Sequence, residues 1–332
     1  MAEFVLVGAA GYGNYYLSLL KEFLDQKRHR FTAIIDPYFQ KEKSEDTFIK
    51  EIPIYTTLED FYSVHQKTDL VILVSPVHCH FAQIKTALAH GSHVLCEKPL
   101  VSTIQDALYL LELEQHCSLK VGVGFQLSWM KSILDLKRDI LLGLYGSPVL
   151  LKAHVSWKRG NDYYDKHGWK GKLRAPNGDW LLDSIATNAA SHYLHNIFFL
   201  TGKTLFESNL PIEVKGSIYK GRNIETFDTI FLKGSLKGGG KFYFTATHLG
   251  ELNSEPKFEF QFEKATIYFD AGTDGEITAV MNNGTRKYYG RAMGREEDMQ
   301  KIISMLEVAE GKAEPSRAEL WDCLCLTAFK GM

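Results

Sequence analysis

The sequence predicts an N-terminal α/β domain with a doubly wound parallel sheet, residues 1–125, followed by a C-terminal α+β domain with a mainly antiparallel sheet, residues 126–332. Three observations carry that expectation. A chain of 332 residues is long for one hydrophobic core and defaults to two domains of roughly 120 to 200 residues. Its first 125 residues alternate unbroken apolar runs with helical periodicity, as a parallel sheet covered on both faces requires. After Gly146-Ser147-Pro148 the pattern changes to long strands with the period of two of a sheet that has one buried and one wet face.

In chain order, Phe4 to Val7 reads as the first strand, and Leu17, Leu20 and Leu24 mark the first helix. Strands follow at Phe31 to Ile35 and Leu70 to Val74, then a helix near Phe81 to Ala89 and a strand at Val94 to Cys96. A helix near Ile104 to Leu113 and a strand at Val121 to Phe125 complete the first domain. The second domain reads as strands at Val149 to Val155, Ile212 to Tyr219, Thr229 to Lys233, Lys241 to His248 and Lys257 to Phe269. In the last of these, Phe258, Phe260 and Phe262 alternate with Glu259, Gln261 and Glu263. Gly238-Gly239-Gly240 and Asn282-Asn283-Gly284 are turn chemistry. Helices near Glu296 to Glu310 and Arg317 to Phe329 close the chain, with room to pack back on the first domain.

Lysine and arginine number 38 against 40 acidic residues, without a long run of one sign, which argues against nucleic acid and anionic membrane surfaces and for a small-molecule partner. Cys79, Cys96, Cys117, Cys323 and Cys325 lack paired spacing and read as reduced thiols of a cytoplasmic protein, neither a disulfide frame nor a metal site. No stretch approaches the roughly 18 apolar residues of a membrane helix.

Gly8, Ala9, Ala10, Gly11, Tyr12 and Gly13 follow the first strand and open the first helix, where glycines let backbone amides approach a pyrophosphate. Ala10 departs from the strict fingerprint at its second glycine. Asp36 ends the second strand about twenty residues on, where a carboxylate accepts ribose hydroxyls and repels a 2′-phosphate; NAD is expected over NADP. Ser75, Pro76, His78 and His80 follow the Leu70 strand at the carboxyl edge of the sheet and join the cofactor candidates, with His80 alternatively capping the next helix.

Taken with Gly91 to Pro99 and Gly124-Phe125, these segments resemble the glucose-fructose oxidoreductase and inositol dehydrogenase family, Gfo/Idh/MocA, over nearly the whole chain. The resemblance implies a Rossmann domain, an open-faced second sheet often used for homodimer or homotetramer contacts, and NAD(P)-linked chemistry on sugars, polyols or related compounds. It also implies that Lys98 of Glu97-Lys98-Pro99 lies beside the nicotinamide, commonly with a cis bond before Pro99. Glu97 and Gln126 are carried over as cofactor residues. The spacing from Asn188 to Gly202 puts His192 at the family's histidine and Asn188 where an aspartate is usual, an exchange that matters because an amide cannot take a proton.

At about 100° per residue, Asn188, His192 and His195 share one helical face, and Asp183 reads as a cap of that helix. The expected catalytic set is therefore Lys98, His192 and Asn188, with His192 moving the proton and Lys98 stabilising alkoxide charge, or Lys98 itself acting as base. Trp157, Arg159, Tyr163, Tyr164, His167, Trp169, Lys172 and Trp180 form the candidate substrate wall, completed by His195. Two other readings remain: a catalytically silent NAD-binding sensor or co-regulator, and an enzyme that recycles bound NAD during glycoside cleavage or epimerisation.

Overall fold

The computed structural model describes residues 1–24, 29–40, 46–166, 168–251, 253–292 and 295–312. The first domain runs β1 (Glu3–Val7), α1 (Tyr12–Leu24), β2 (Arg30–Ile35), α2 (Thr47–Glu51), β3 (Ile54–Tyr55), α3 (Leu58–Val64), β4 (Leu70–Leu73), α4 (Val77–Ala89), β5 (His93–Cys96), α5 (Ile104–Gln115) and β6 (Val121–Val123). The strands form one parallel sheet in the order β3-β2-β1-β4-β5-β6. All four residues of β4 are buried, as strands covered by helices on both faces must be. The sequence reading passed over α2, β3 and α3 because they are short. α3 nonetheless carries a local signal, a capping box in which Thr57 Oγ1 accepts from the Asp60 amide and the Asp60 carboxylate accepts from the Thr57 amide.

The second domain opens with a 3-10 turn (Gln126–Trp129) and α6 (Lys131–Leu141), followed by β7 (Pro148–Ser156), α7 (Asn161–Asp165), α8 (Ser191–Leu200), β8 (Pro211–Tyr219), β9 (Thr229–Leu236), β10 (Lys241–Thr247), β11 (Ser254–Phe262), β12 (Ala265–Asp270), β13 (Glu276–Met281), β14 (Arg286–Arg291) and α9 (Arg295–Ala309). The eight strands order as β14-β13-β12-β11-β7-β10-β9-β8, antiparallel except for the parallel pair β7 and β10. Phe258, Phe260 and Phe262 all point into the core. The strand expected over 257–269 is two: Glu263 and Lys264 make a tight connection between β11 and β12, which pair Phe260 with Ile267. Without Gly, Asn or Pro at that connection, the sequence carried no turn signal.

α9 leaves the second sheet and packs on β5, β4 and the 3-10 turn. Its seat is close: a Cβ at Gly122 in β6 would meet Met305 Sδ at 2.6 Å. The helix expected at Arg317 to Phe329, with Cys323 and Cys325, lies outside the described residues. Among the described residues Cys79, Cys96 and Cys117 are free thiols, no helix is long and apolar enough to cross a membrane, and no three His, Cys, Asp or Glu side chains gather as a metal site.

Candidate active site

The turn between β1 and α1 is shaped by backbone approach. Gly8, at φ +86°, lies against the end of β4, where a Cβ would meet the Ser75 amide nitrogen at 2.8 Å, and a Cβ at Gly13 would meet the Gly8 carbonyl oxygen at 2.2 Å. Side chains are thus excluded from the turn. Gly11 has left-handed φ and open space around it, which leaves a cradle for a dinucleotide. Asp36 closes the cradle: one carboxylate oxygen accepts from the Ala9 amide at 2.8 Å and the other from the Tyr38 amide at 2.9 Å. Each oxygen keeps a lone pair for a ribose hydroxyl. Asp36→Ala should weaken NADH binding by about tenfold or more and narrow the preference over NADPH, read by nucleotide fluorescence titration; an unchanged ratio of the two affinities would remove Asp36 from cofactor choice.

Several expected cofactor residues sit behind this surface. His80 is buried, with Nε2 2.7 Å from the Ser75 carbonyl oxygen and Nδ1 3.1 and 3.0 Å from those of Pro99 and Leu100, so it ties the β4 turn to the β5 loop. The Ser75 hydroxyl donates to Gln83 Oε1 at 2.5 Å, and Pro76 stands at the N-cap of α4. Burial lowers the pKa of half-buried His78 and Asp179 raises it in part, for a net downward shift. Tyr12 is exposed at the rim, and Gln126 begins the 3-10 turn.

Glu97 lies deeper. It is buried, accepting from the Tyr16 hydroxyl at 2.6 Å, from Lys301 of α9, and from the Lys98 amide at 3.1 Å, under Gly124, where a Cβ would strike its carboxylate. Burial pushes its carboxyl up, but Lys301, Tyr16 and Lys98 together hold it below the usual carboxylate range. Glu97 therefore supports Lys98 from beneath.

Lys98, in the loop after β5, precedes a cis peptide bond to Pro99. Its ammonium reaches across the domain boundary to the Asn188 carbonyl oxygen at 2.9 Å and Asn188 Oδ1 at 3.1 Å. Asn188 Nδ2 in turn donates to Asp183 Oδ1 at 2.9 Å, and Asp183 Oδ2 accepts from the Gly171 amide at 2.7 Å. The amide thus links the lysine to a carboxylate five residues away from the family's usual position. Asp183 is not the cap of α8, which begins at Ser191. Leu182 before it has φ +49°, a conformation costing about 1 kcal/mol for a side chain with Cβ and held here by its amide bond to the Leu173 carbonyl oxygen. Burial lowers the Lys98 pKa, Glu97 and Asp183 pull it back, and Lys301 lowers it again; the net shift is downward.

His192, on the first turn of α8, has a buried Nδ1 with no hydrogen-bond partner among the described residues and sets its ring edge-on to Phe125. Burial, with Lys98, Lys301 and His195 nearby, holds its pKa well below the ordinary imidazole value. It is a neutral ring at neutral pH. His195 departs from expectation: it is fully buried, stacked on Phe125 at 4.1 Å, with Nε2 2.9 Å from Ser128 Oγ. The face of α8 that carries it packs on the 3-10 turn rather than lining the cleft.

The substrate wall divides. Trp157, half-buried, donates its indole N–H to Glu255 at 3.2 Å and lies edge-on to Tyr193, and Tyr164 is buried with its hydroxyl 2.6 Å from His248 Nδ1. Trp169 packs against Val77, Ala175 and Leu181, fastening the segment before α8 onto α4 of the first domain. Lys172 pairs with Glu225, and Trp180 lies under Arg174. His167 lies outside the described residues. Arg159 and Tyr163 remain, joined by Lys170, which sequence reasoning missed: its ammonium is 3.6 Å from the Tyr163 ring centroid, with the Arg159 guanidinium at 5.3 Å.

His248, beside them, is 2% exposed, and burial with Arg159, Arg222 and Lys170 lowers its pKa to about 3. An unfolded chain takes up this proton near pH 6.5 and the folded one does not until about pH 3, so stability present above pH 6.5 is lost progressively as pH falls through that window. His248→Gln should flatten this decline in urea midpoints; an unaltered pH slope would refute the assignment.

A glycine-lined strand-to-helix turn with a carboxylate at its end is the arrangement of a Rossmann domain, and the β5 loop delivers Lys98 to the same edge of the sheet. Residues 2–125 match the model described as "Oxidoreductase family, NAD-binding Rossmann fold". That model is the one of the Gfo/Idh/MocA family, and the match covers the first domain and not the second. Among curated proteins, the chain is 21% identical over 217 residues to glucose-6-phosphate 3-dehydrogenase of Bacillus subtilis, covering 65% of this chain and 60% of that protein. It is 29% identical over 160 residues to inositol 2-dehydrogenase of Burkholderia multivorans, covering 48% and 47%. The chain thus spans about half to three-fifths of the length of these relatives. The WlbA dehydrogenase from Bordetella pertussis, solved in complex with NADH and UDP-GlcNAcA, shares the fold with TM-score 0.77 at 20% identity, over 99% of this chain and 94% of that one.

Proposed function

We propose that the protein is an NAD-dependent oxidoreductase acting on a CH–OH group of a sugar, polyol or sugar-derived substrate. The observation that carries this reading is the meeting of Lys98 from the first domain with the Asn188 to His192 segment of the second. The relatives named for dehydrogenation of glucose 6-phosphate and of inositol support the substrate class. The bound dinucleotide supplies the hydride acceptor; the Gly8 to Gly13 turn and Asp36 would hold it.

Lys98 has three N–H donors and spends two on Asn188, leaving one for a substrate hydroxyl. Burial makes its ammonium a better proton donor and its amine available as a base nearer neutral pH. His192, with its strongly depressed pKa, is a poor proton acceptor but a good neutral hydrogen-bond partner, so we assign proton transfer to Lys98 and hydroxyl orientation to His192. Asn188 orients Lys98 and carries no proton itself. Appearance of the NADH absorbance band with NAD and a panel of sugars, polyols and sugar acids tests the reading; no band with any of them would favour the sensor or the internally recycling enzyme.

Tyr243 and Tyr268 stand on the solvent side of the second sheet, and Tyr268 is exposed. On that face we place a homodimer or homotetramer contact, which a monomeric sedimentation coefficient would exclude.

A further inference from the structure

Arg159 and His248 are 89 positions apart in sequence and adjacent because β7 and β10 run parallel. Their register pairs Ser156 with Thr247, so the residues just beyond each strand emerge at the same edge, where the Arg159 amide donates to the His248 carbonyl oxygen at 3.2 Å. α7 then places Tyr163 and Tyr164 over that edge, and the segment after it returns Lys170 to the Tyr163 ring. Two cations thereby converge on one aromatic face.

None of Arg159, Lys170 and Arg222 forms an ion pair with a carboxylate among the described residues, although all three influence the His248 ring. The nearby carboxylates are engaged by backbone and side-chain donors: Asp183 accepts from the Gly171 amide and from Asn188, and Asp228 accepts from the Gly221 amide. Among the described residues, Arg159 Nε, Arg222 Nε and His248 Nε2 are buried at this place without a hydrogen-bond partner. His248 is 2% exposed, and with its Nδ1 facing the Tyr164 hydroxyl its second nitrogen is left for something else. Buried donors without acceptors are costly, and clustered cations without counter-charge more so. The cluster adjoins Lys98, whose charge lowers the proton affinity of Lys170, and both ammonium groups feel Asp183.

We propose that this cluster is an anion subsite, in which Arg159, Lys170 and His248 hold a carboxylate or phosphate of the substrate while Lys98 addresses its hydroxyl. The inference rests on the oxidoreductase reading and narrows its substrate class from sugars and polyols in general to sugar acids and sugar phosphates. A guanidinium offers paired donors to either oxyanion, an ammonium adds a point charge, and the imidazole N–H adds a third donor.

The test is calorimetric titration of the NADH-loaded protein with glucuronate, glucose 6-phosphate and neutral methyl glucoside. At least one anionic sugar should bind about tenfold or more tightly than the neutral one, and which of the two does so tells carboxylate from phosphate. Arg159→Gln and Lys170→Gln should each erase most of that preference while NADH affinity and unfolding temperature stay as in the parent; Arg159→Lys should retain part of it. Equal affinities, no binding of either anionic sugar, or a preference that survives both variants would overturn the subsite. NADH formation by the NAD-loaded protein with the same sugars judges the oxidation reading separately: preferential anion binding without NADH formation leaves the subsite standing and removes the oxidation, whereas oxidation of neutral sugars without anion preference does the reverse.

Discussion

Lys98→Met is expected to lower kcat by a factor on the order of 10³ while NADH still binds with its parental affinity. The variant removes the ammonium but keeps a side chain of similar reach against Asn188, so the cofactor cradle, built from Gly8, Gly13 and Asp36, is undisturbed. His192→Gln should cost less, about tenfold to a hundredfold, because that ring orients rather than accepts. The reverse order of effects would return the proton to His192. A pH profile sharpens the point: burial lowers the Lys98 pKa, so the rise of kcat/KM with pH should have its inflection below lysine's ordinary 10.5. Asn188→Asp places a carboxylate against the ammonium and should move that inflection upward. An inflection unmoved by this substitution would mean that another group sets the profile.

Lys301→Met is expected to destabilise the fold by about 3 to 5 kcal/mol, the largest single effect outside the catalytic residues. Lys301 is 1% exposed and its ammonium bonds Glu97, itself buried and also held by Tyr16. Removing one charge strands the other in a low-dielectric interior, and Glu97 must then take up a proton or rearrange. Because Glu97 also accepts the Lys98 amide, the variant should disturb kcat as well as urea stability. The double variant Lys301→Met, Glu97→Gln should recover much of the stability, since the amide needs no counter-charge. If the double variant were no more stable than the single one, loss of packing by α9, not the unpaired carboxylate, would be the cause.

The contrast between these two lysines shows where sequence reading succeeds. Lys98 stands in a short local motif directly after an apolar strand, at an edge where such sheets bind ligands, so neighbours within a dozen residues suffice to single it out. Lys301 has no such context; it is one charged position in a helix, and its importance comes from a carboxylate 204 positions earlier. His195 fails for a related reason. Its place on a helical face was right, but periodicity does not say which face meets solvent, and the 3-10 turn that covers it belongs to the start of the second domain. Asp183 reads as a cap in the sequence because it precedes a helix, whereas the turn through Leu182 aims it at Asn188.

All strands of the first sheet except the short β3, together with the glycine turn, Asp36 and Lys98, follow from the order of residues alone, because backbone sterics and hydrophobic periodicity act over one element and its immediate flanks. The Lys98–Asn188–Asp183 chain, the Glu97–Lys301 pair beneath it and the cationic cluster at the ends of β7 and β10 were decided by tertiary structure. Each joins side chains brought together by strand register or by the return of α9, and burial, which shifts their pKa values, exists only once the two domains have closed on one another.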